Sequence, residues 1–141
     1  MTGPPPDPRA GWIALLHFGD DGLVPAVVQA TVDGRVLLVG SMNREALART
    51  LASGQLWLWS RSRQRLWLKG ETSGHFQRVD ALYVNCELNS LLIQVTSRGP
   101  VCHAGYPTCF YRRVAADGSL ETVVDQAFTP DRGDPAPAGA E

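Results

Sequence analysis

The stretch AVVQATVDGRVLLVGSMNREALARTLASG, residues 26–54, reads as strand, turn, strand and helix in succession. Ala26–Thr31 and Arg35–Val39 are runs rich in β-branched and aliphatic residues. They flank Asp33-Gly34, a dipeptide favoured in tight hairpins because both central residues of such a turn take positive φ. Asn43 then supplies a side-chain oxygen to cap a helix, Leu47 and Leu51 fall four apart on one face, and Gly54 stops it. Outward from this unit, Leu56–Trp59 and Leu66–Lys69 read as strands joined by the basic turn Ser60–Arg65. Phe76–Val84 and Leu91–Thr96 read as two more, and Asp117-Gly118 joins a last pair, Tyr111–Val114 and Glu121–Val124. The class is α+β: a compact, strand-rich, mainly antiparallel domain with one or two helices.

The chain has 141 residues, 44% of them hydrophobic, which suits one domain with a packed core. That domain is expected over residues 11–125. The arm 1–10 contains four prolines and the tail 126–141 has almost nothing to bury, so both are expected to be disordered. Thirteen Lys and Arg nearly cancel fourteen Asp and Glu, leaving a formal net charge of -1. A generally basic nucleic-acid binder or membrane-surface protein is thereby excluded, and any anion must be met by a local patch. No apolar run approaches the ~20 residues of a membrane span, and the N-terminus lacks signal-peptide organisation. A cytoplasmic location is expected.

Three cysteines, Cys86, Cys102 and Cys109, are an odd number for a disulfide framework. Fifteen residues separate the first two and six the last two, unlike the short knuckles of zinc fingers. Scattered cysteines are usually small buried hydrophobes. Here the segment GPVCHAGYPTCF, residues 99–110, has loop composition, and loops on a rigid scaffold are where function gathers. Three thiolates would leave one tetrahedral zinc position open, as a hydrolytic site needs. Zinc with three thiolates carries a net negative charge and acidifies water less than zinc held by neutral ligands, so a separate base would help. His103, beside Cys102, is the candidate general acid/base.

Arg61, Arg63, Arg65 and Lys69 form a basic cluster. Alternate residues of an extended segment share a face, so three arginines there could clamp phosphate, or simply charge a solvated hairpin edge. Trp57, Trp59 and Trp67 interleave with them; at least two are expected in the core. Asn85, Glu87 and Asn89 alternate as well and could approach a hard cation, although one carboxylate among three is better suited to a polar loop end.

Together these motifs resemble the phosphoribosyl-AMP cyclohydrolase family of histidine biosynthesis. The resemblance runs from about Leu16 to Arg113, through GLVPAVVQ (22–29), VLLVGSMNREAL (36–47), SRSRQRLWLKGETSGHFQRV (60–79) and NCELNSLLIQVTSRGPVCHAGYPTCF (85–110). It implies a homodimeric α+β enzyme with active sites between subunits and a zinc held by Cys86 of one chain and Cys102 and Cys109 of the other. It also implies His103 as catalytic residue, and Arg61, Arg63, Lys69, Glu71 and Ser73 along the site of a phosphorylated nucleotide. The family pattern around the first cysteine is Asp-Cys-Asp-x-Asp, associated with magnesium. Here it is Asn85-Cys86-Glu87-Leu88-Asn89, so magnesium is not expected to be held as it is in the family.

The reaction implied is hydrolytic opening of the purine ring of phosphoribosyl-AMP at N1–C6. Two other readings compete. One is a paralogue acting on a different N1-modified purine or amidine, for which NCELN is the argument. The other is a non-catalytic zinc-stabilised module that binds nucleotides, against which the histidine beside the cysteines speaks.

Overall fold

Strand β1 (Val24–Ala30) buries alternate residues Val24, Ala26 and Val28, and β6 (Leu91–Ser97) does the same with Leu91, Ile93 and Val95. The two lie side by side in parallel at the centre of the sheet, Ala26 opposite Leu91 and Ala30 opposite Val95. A computed structural model describes residues 8–128. Around the central pair lie β2 (Val36–Met42), β3 (Trp57–Ser60), β4 (Arg65–Leu68) and β5 (Gln77–Val84), in the order β4-β3-β2-β1-β6-β5. All neighbours except β1 and β6 are antiparallel. The expected α+β, mainly antiparallel architecture is present. The parallel contact had no local signal, because about sixty residues separate its strands in the chain.

Helix α1 (Arg44–Ser53) starts where Asn43 Oδ1 accepts from the Ala46 N–H at 2.8 Å. It ends at Gly54, whose φ of 74° is the left-handed conformation glycine adopts without steric cost. Ala46 and Leu47 join the core, and the helix packs against β2, β3 and the 3-10 helix Pro8–Leu15 that begins the described chain.

The sheet curls until its two ends meet. Leu56 N–H donates to Gln77 O at 3.0 Å and Val79 N–H to Gly54 O at 2.8 Å, so residues just before β3 bond to β5. On the other side of the same short stretch, Lys69 N–H donates to Leu56 O at 3.0 Å. This seam brings the residues following β4 beside the beginning of β5 and the end of β6.

One turn expectation and one side-chain alignment are corrected. The β1–β2 connection is a five-residue loop, 31–35, in which Gly34 takes φ 77° but Asp33 does not take positive φ. Asp33 instead accepts the Arg35 N–H at 3.0 Å, using its side chain to hold the turn. The basic segment 61–64 is the turn expected between β3 and β4, so the alternation of an extended segment that would align Arg61, Arg63 and Arg65 does not operate.

Trp57 and Trp67 pack against the core, as expected for two of the three. Strands β7 (Arg112–Val114) and β8 (Leu120–Thr122) form a separate, fully exposed hairpin. The expected disordered ends fall largely outside the described residues. At their inner edges, Pro8–Ala10 belong to the 3-10 helix and the Ala127 N–H donates to Gly105 O at 2.7 Å. Among the described residues no helix is long and apolar enough to cross a membrane.

Candidate active site

The loop after β6 folds back and is pinned against β2. Cys109 N–H donates to Leu37 O at 2.7 Å, and the buried Thr108 hydroxyl donates to Val36 O at 2.8 Å. A tight turn holds Cys102: its N–H donates to Tyr106 O at 3.1 Å and its carbonyl accepts the Gly105 N–H at 2.9 Å. Tyr106 stacks on Tyr111 with ring centroids 3.6 Å apart, closing the base of the loop. The outcome is a pair of neighbouring thiols, Cys102 buried and Cys109 half-buried. Burial pushes the Cys109 thiol up to about 11; neighbouring Cys102 adds to this and Lys69 opposes it. Lys69 itself is only 8% exposed. Desolvation holds its ammonium below the usual lysine range, with the two thiols pulling the other way.

His103 follows Cys102 and is exposed. His75 was missed in the sequence, although it ends the quoted KGETSGH motif. Its Nδ1 lies 3.1 Å from Pro100 O, and its ring meets Phe128 edge-on at 5.6 Å. Gly99, at φ 140°, runs so close that a Cβ there would lie 2.6 Å from His75 Cδ2. Gly70, at φ 97°, is as tight against the His75 carbonyl group. The segment 69–75 is thus locked against the cysteine loop. The legible signal was Gly70 in the motif that ends at His75, since glycine permits close backbone approach.

The other candidates are more dispersed. Arg65 pairs with Glu71, and Arg61 lies 3.7 Å from Asp21. Arg63 is exposed and has no carboxylate partner among the described residues. The Ser73 hydroxyl accepts the His75 N–H at 3.2 Å.

Cys86 is not with the other thiols. It is exposed in the turn between β5 and β6, whereas Cys102 follows the far end of β6. Seven residues of strand at ~3.3 Å each put about 20 Å between those ends. Among the described residues no group of three or more His, Cys, Asp or Glu side chains could hold a metal ion. Sulfur donors suit zinc, and this chain brings two of them together. Around Cys86, the Asn85 Oδ1 accepts the N–H groups of Asn89 (2.8 Å) and Ser90 (3.0 Å), while its amide donates to Asn89 Oδ1 at 2.6 Å.

A small α+β domain that gathers thiols, imidazoles and a buried ammonium at one end of a curled sheet belongs to the class of enzymes rather than of structural modules. The family profile described as phosphoribosyl-AMP cyclohydrolase matches residues 38–111. A protein of that name from Pelotomaculum thermopropionicum is 47% identical over 117 residues, covering 83% of this chain and 91% of its own. One from Methanococcoides burtonii is 44% identical over 112 residues, covering 79% and 93%. A histidine biosynthesis bifunctional protein from Gloeobacter violaceus is 54% identical over 105 residues, 74% of this chain and 48% of the relative. The chain belongs to the phosphoribosyl-AMP cyclohydrolase family.

Proposed function

We propose that this chain hydrolyses phosphoribosyl-AMP at the purine N1–C6 bond, in histidine biosynthesis, as a zinc-dependent homodimer. The observation that carries the reading is the thiol pair Cys102–Cys109 with His103 adjoining it, inside the segment that matches the family. Cys102 and Cys109 of one chain and Cys86 of a second would hold the zinc. When bound, zinc supplies Lewis acidity that makes water a better nucleophile near neutral pH. The His103 imidazole takes a proton as water adds to C6, an amidine carbon made electrophilic by ribosylation at N1. The tetrahedral carbon then collapses, the C6–N1 bond breaks with its electron pair passing to N1, and the exocyclic nitrogen remains as a carboxamide. The histidine returns its proton to N1. Zinc deaminases attack the same carbon of adenine but expel the exocyclic nitrogen instead.

The substrate's two phosphates, each roughly -1.5 to -2 if they titrate like a phosphorylated side chain, call for guanidinium groups. Arg63, exposed and without a carboxylate partner among the described residues, is the guanidinium we assign that part, with Arg61, Lys69, Glu71 and Ser73 as the further substrate-binding residues. The test is a turnover assay on metal-analysed protein. The expected result is about one zinc per set of three cysteines and measurable ring opening. His103→Ala should keep zinc and lose about 10²- to 10⁴-fold in rate, while Cys102→Ala should lose zinc and activity together. Reconstituted protein that takes up no stoichiometric zinc overturns the mechanism.

A further inference from the structure

Residues 112–128 lie beyond the segment that the family profile matches, and the hairpin β7–β8 within them is fully exposed, so core packing gives no reason for its place. Its two ends supply one. At its base Val123 N–H donates to Tyr111 O at 2.8 Å, and Tyr111 stacks on Tyr106 of the cysteine loop. Past the hairpin the chain crosses back over that same loop. The Gln126 side-chain amide donates to Ala104 O at 2.9 Å, and the Ala127 N–H donates to Gly105 O at 2.7 Å. The Phe128 N–H reaches the same Gly105 oxygen at 3.4 Å, and its ring meets His75 edge-on at 5.6 Å. Three successive residues thus hold the two that follow His103. His103 is the second residue of the turn Cys102–Gly105, whose closing bond, Gly105 N–H to Cys102 O, is internal. A surface turn closed only by its own bonds can pivot as a unit, whereas bonds to its outward carbonyls tie it to the rest of the chain.

We infer that Gln126–Phe128 is a strap that fixes the His103 turn in its working position, with Gln126, Ala127 and Phe128 as positioning residues. The inference rests on the reading of His103 as general acid/base given above. Proton transfer needs a heavy-atom approach of about 2.6–3.2 Å, and a misplacement of about 1 Å can cost 10²-fold in rate. A turn that carries the base therefore gains from being held on its outer side as well as at its root. The three strap residues are exposed and stand outside the hydrophobic core. Their bonds set where the turn sits, not whether the sheet folds.

Ala127→Pro deletes the N–H that Gly105 O accepts, and Gln126→Ala combined with Phe128→Ala removes both side chains of the strap. In the full chain each should lower kcat about 10- to 100-fold, with KM, metal content and Tm unchanged. Because the strap acts through His103, Ala127→Pro added to His103→Ala should cost no further rate. Wild-type kcat in both strap variants overturns the inference and leaves the reading of His103 standing. A further loss on the His103→Ala background overturns it as well, since the strap would then act elsewhere. So does a fall in Tm or metal content that matches the fall in kcat, by giving the strap a structural role. His103→Ala protein that turns over at the wild-type rate removes the reading of His103 and this inference together.

Discussion

Gly70 shows how much of the site depends on a missing side chain. Its φ of 97° lies where glycine alone is comfortable, and a Cβ there would stand 2.6 Å from the carbonyl carbon and oxygen of His75. Backbone cannot swing aside as the end of a side chain can, so Gly70→Ala must push segment 69–75 away from the loop that carries Cys102. Gly22 also takes positive φ, at 77°, but nothing lies within 4 Å of its Cβ position. Gly22→Ala should cost only the conformational term, about 1–2 kcal/mol. Gly70→Ala should cost clearly more, read from denaturant midpoints at unchanged slope, and should also reduce zinc retention. Equal costs would mean that the contact with His75 relaxes without strain. At this scale the sequence was only half informative. It marked the cysteines, His103 and the motif around Gly70, but not the partner of His75, because Pro100 and Gly99 approach it through tertiary folding alone.

The turn between β5 and β6 is an element whose two asparagine side chains are already employed. Asn85 satisfies two backbone N–H groups and bonds Asn89, and Leu88 takes the left-handed φ of 57° that completes the turn. Compared with three aspartates, local formal charge changes from -3 to -1 across Asn85, Glu87 and Asn89. A divalent cation held mainly by that charge should bind much more weakly, since two unit charges 4 Å apart interact by roughly 4 kcal/mol at an effective dielectric near 20, before desolvation offsets it. Activity is therefore expected to respond little to added magnesium at millimolar levels. The paired change Asn85→Asp and Asn89→Asp should raise magnesium binding, followed by calorimetric titration. Tight magnesium binding and strict dependence in the unmodified chain would reverse this. Elements of this kind were the most legible part of the fold. Asn43 and Gly54 bracket α1 because capping is local chemistry, and the hydrophobic alternation of β1 and β6 is visible residue by residue. The Arg61–Arg65 alignment was misread because the expected turn between β3 and β4, present over 61–64, is not extended and does not alternate its side chains.

At the scale of the molecule, the sheet lays Cys86 and the Cys102–Cys109 pair at opposite ends of β6. On the shared-site reading, Cys86→Ala and His103→Ala subunits, each inactive alone, should recover activity when mixed, because some mixed dimers assemble one site from intact parts. Full activity from a confirmed monomer would end that reading. Neither the parallel centre of the sheet nor the seam that closes it could be read from the sequence, since both join segments that carry no local mark of each other. The same separation of thiols has a thermodynamic side. A metal whose ligands come from two chains is also a cross-link, so its uptake and their association are linked functions. By reciprocity, whatever factor zinc adds to the association constant, association adds to zinc affinity. Dilution would then release metal and a chelator would release monomers, making zinc saturation a measure of how many chains have found a mate.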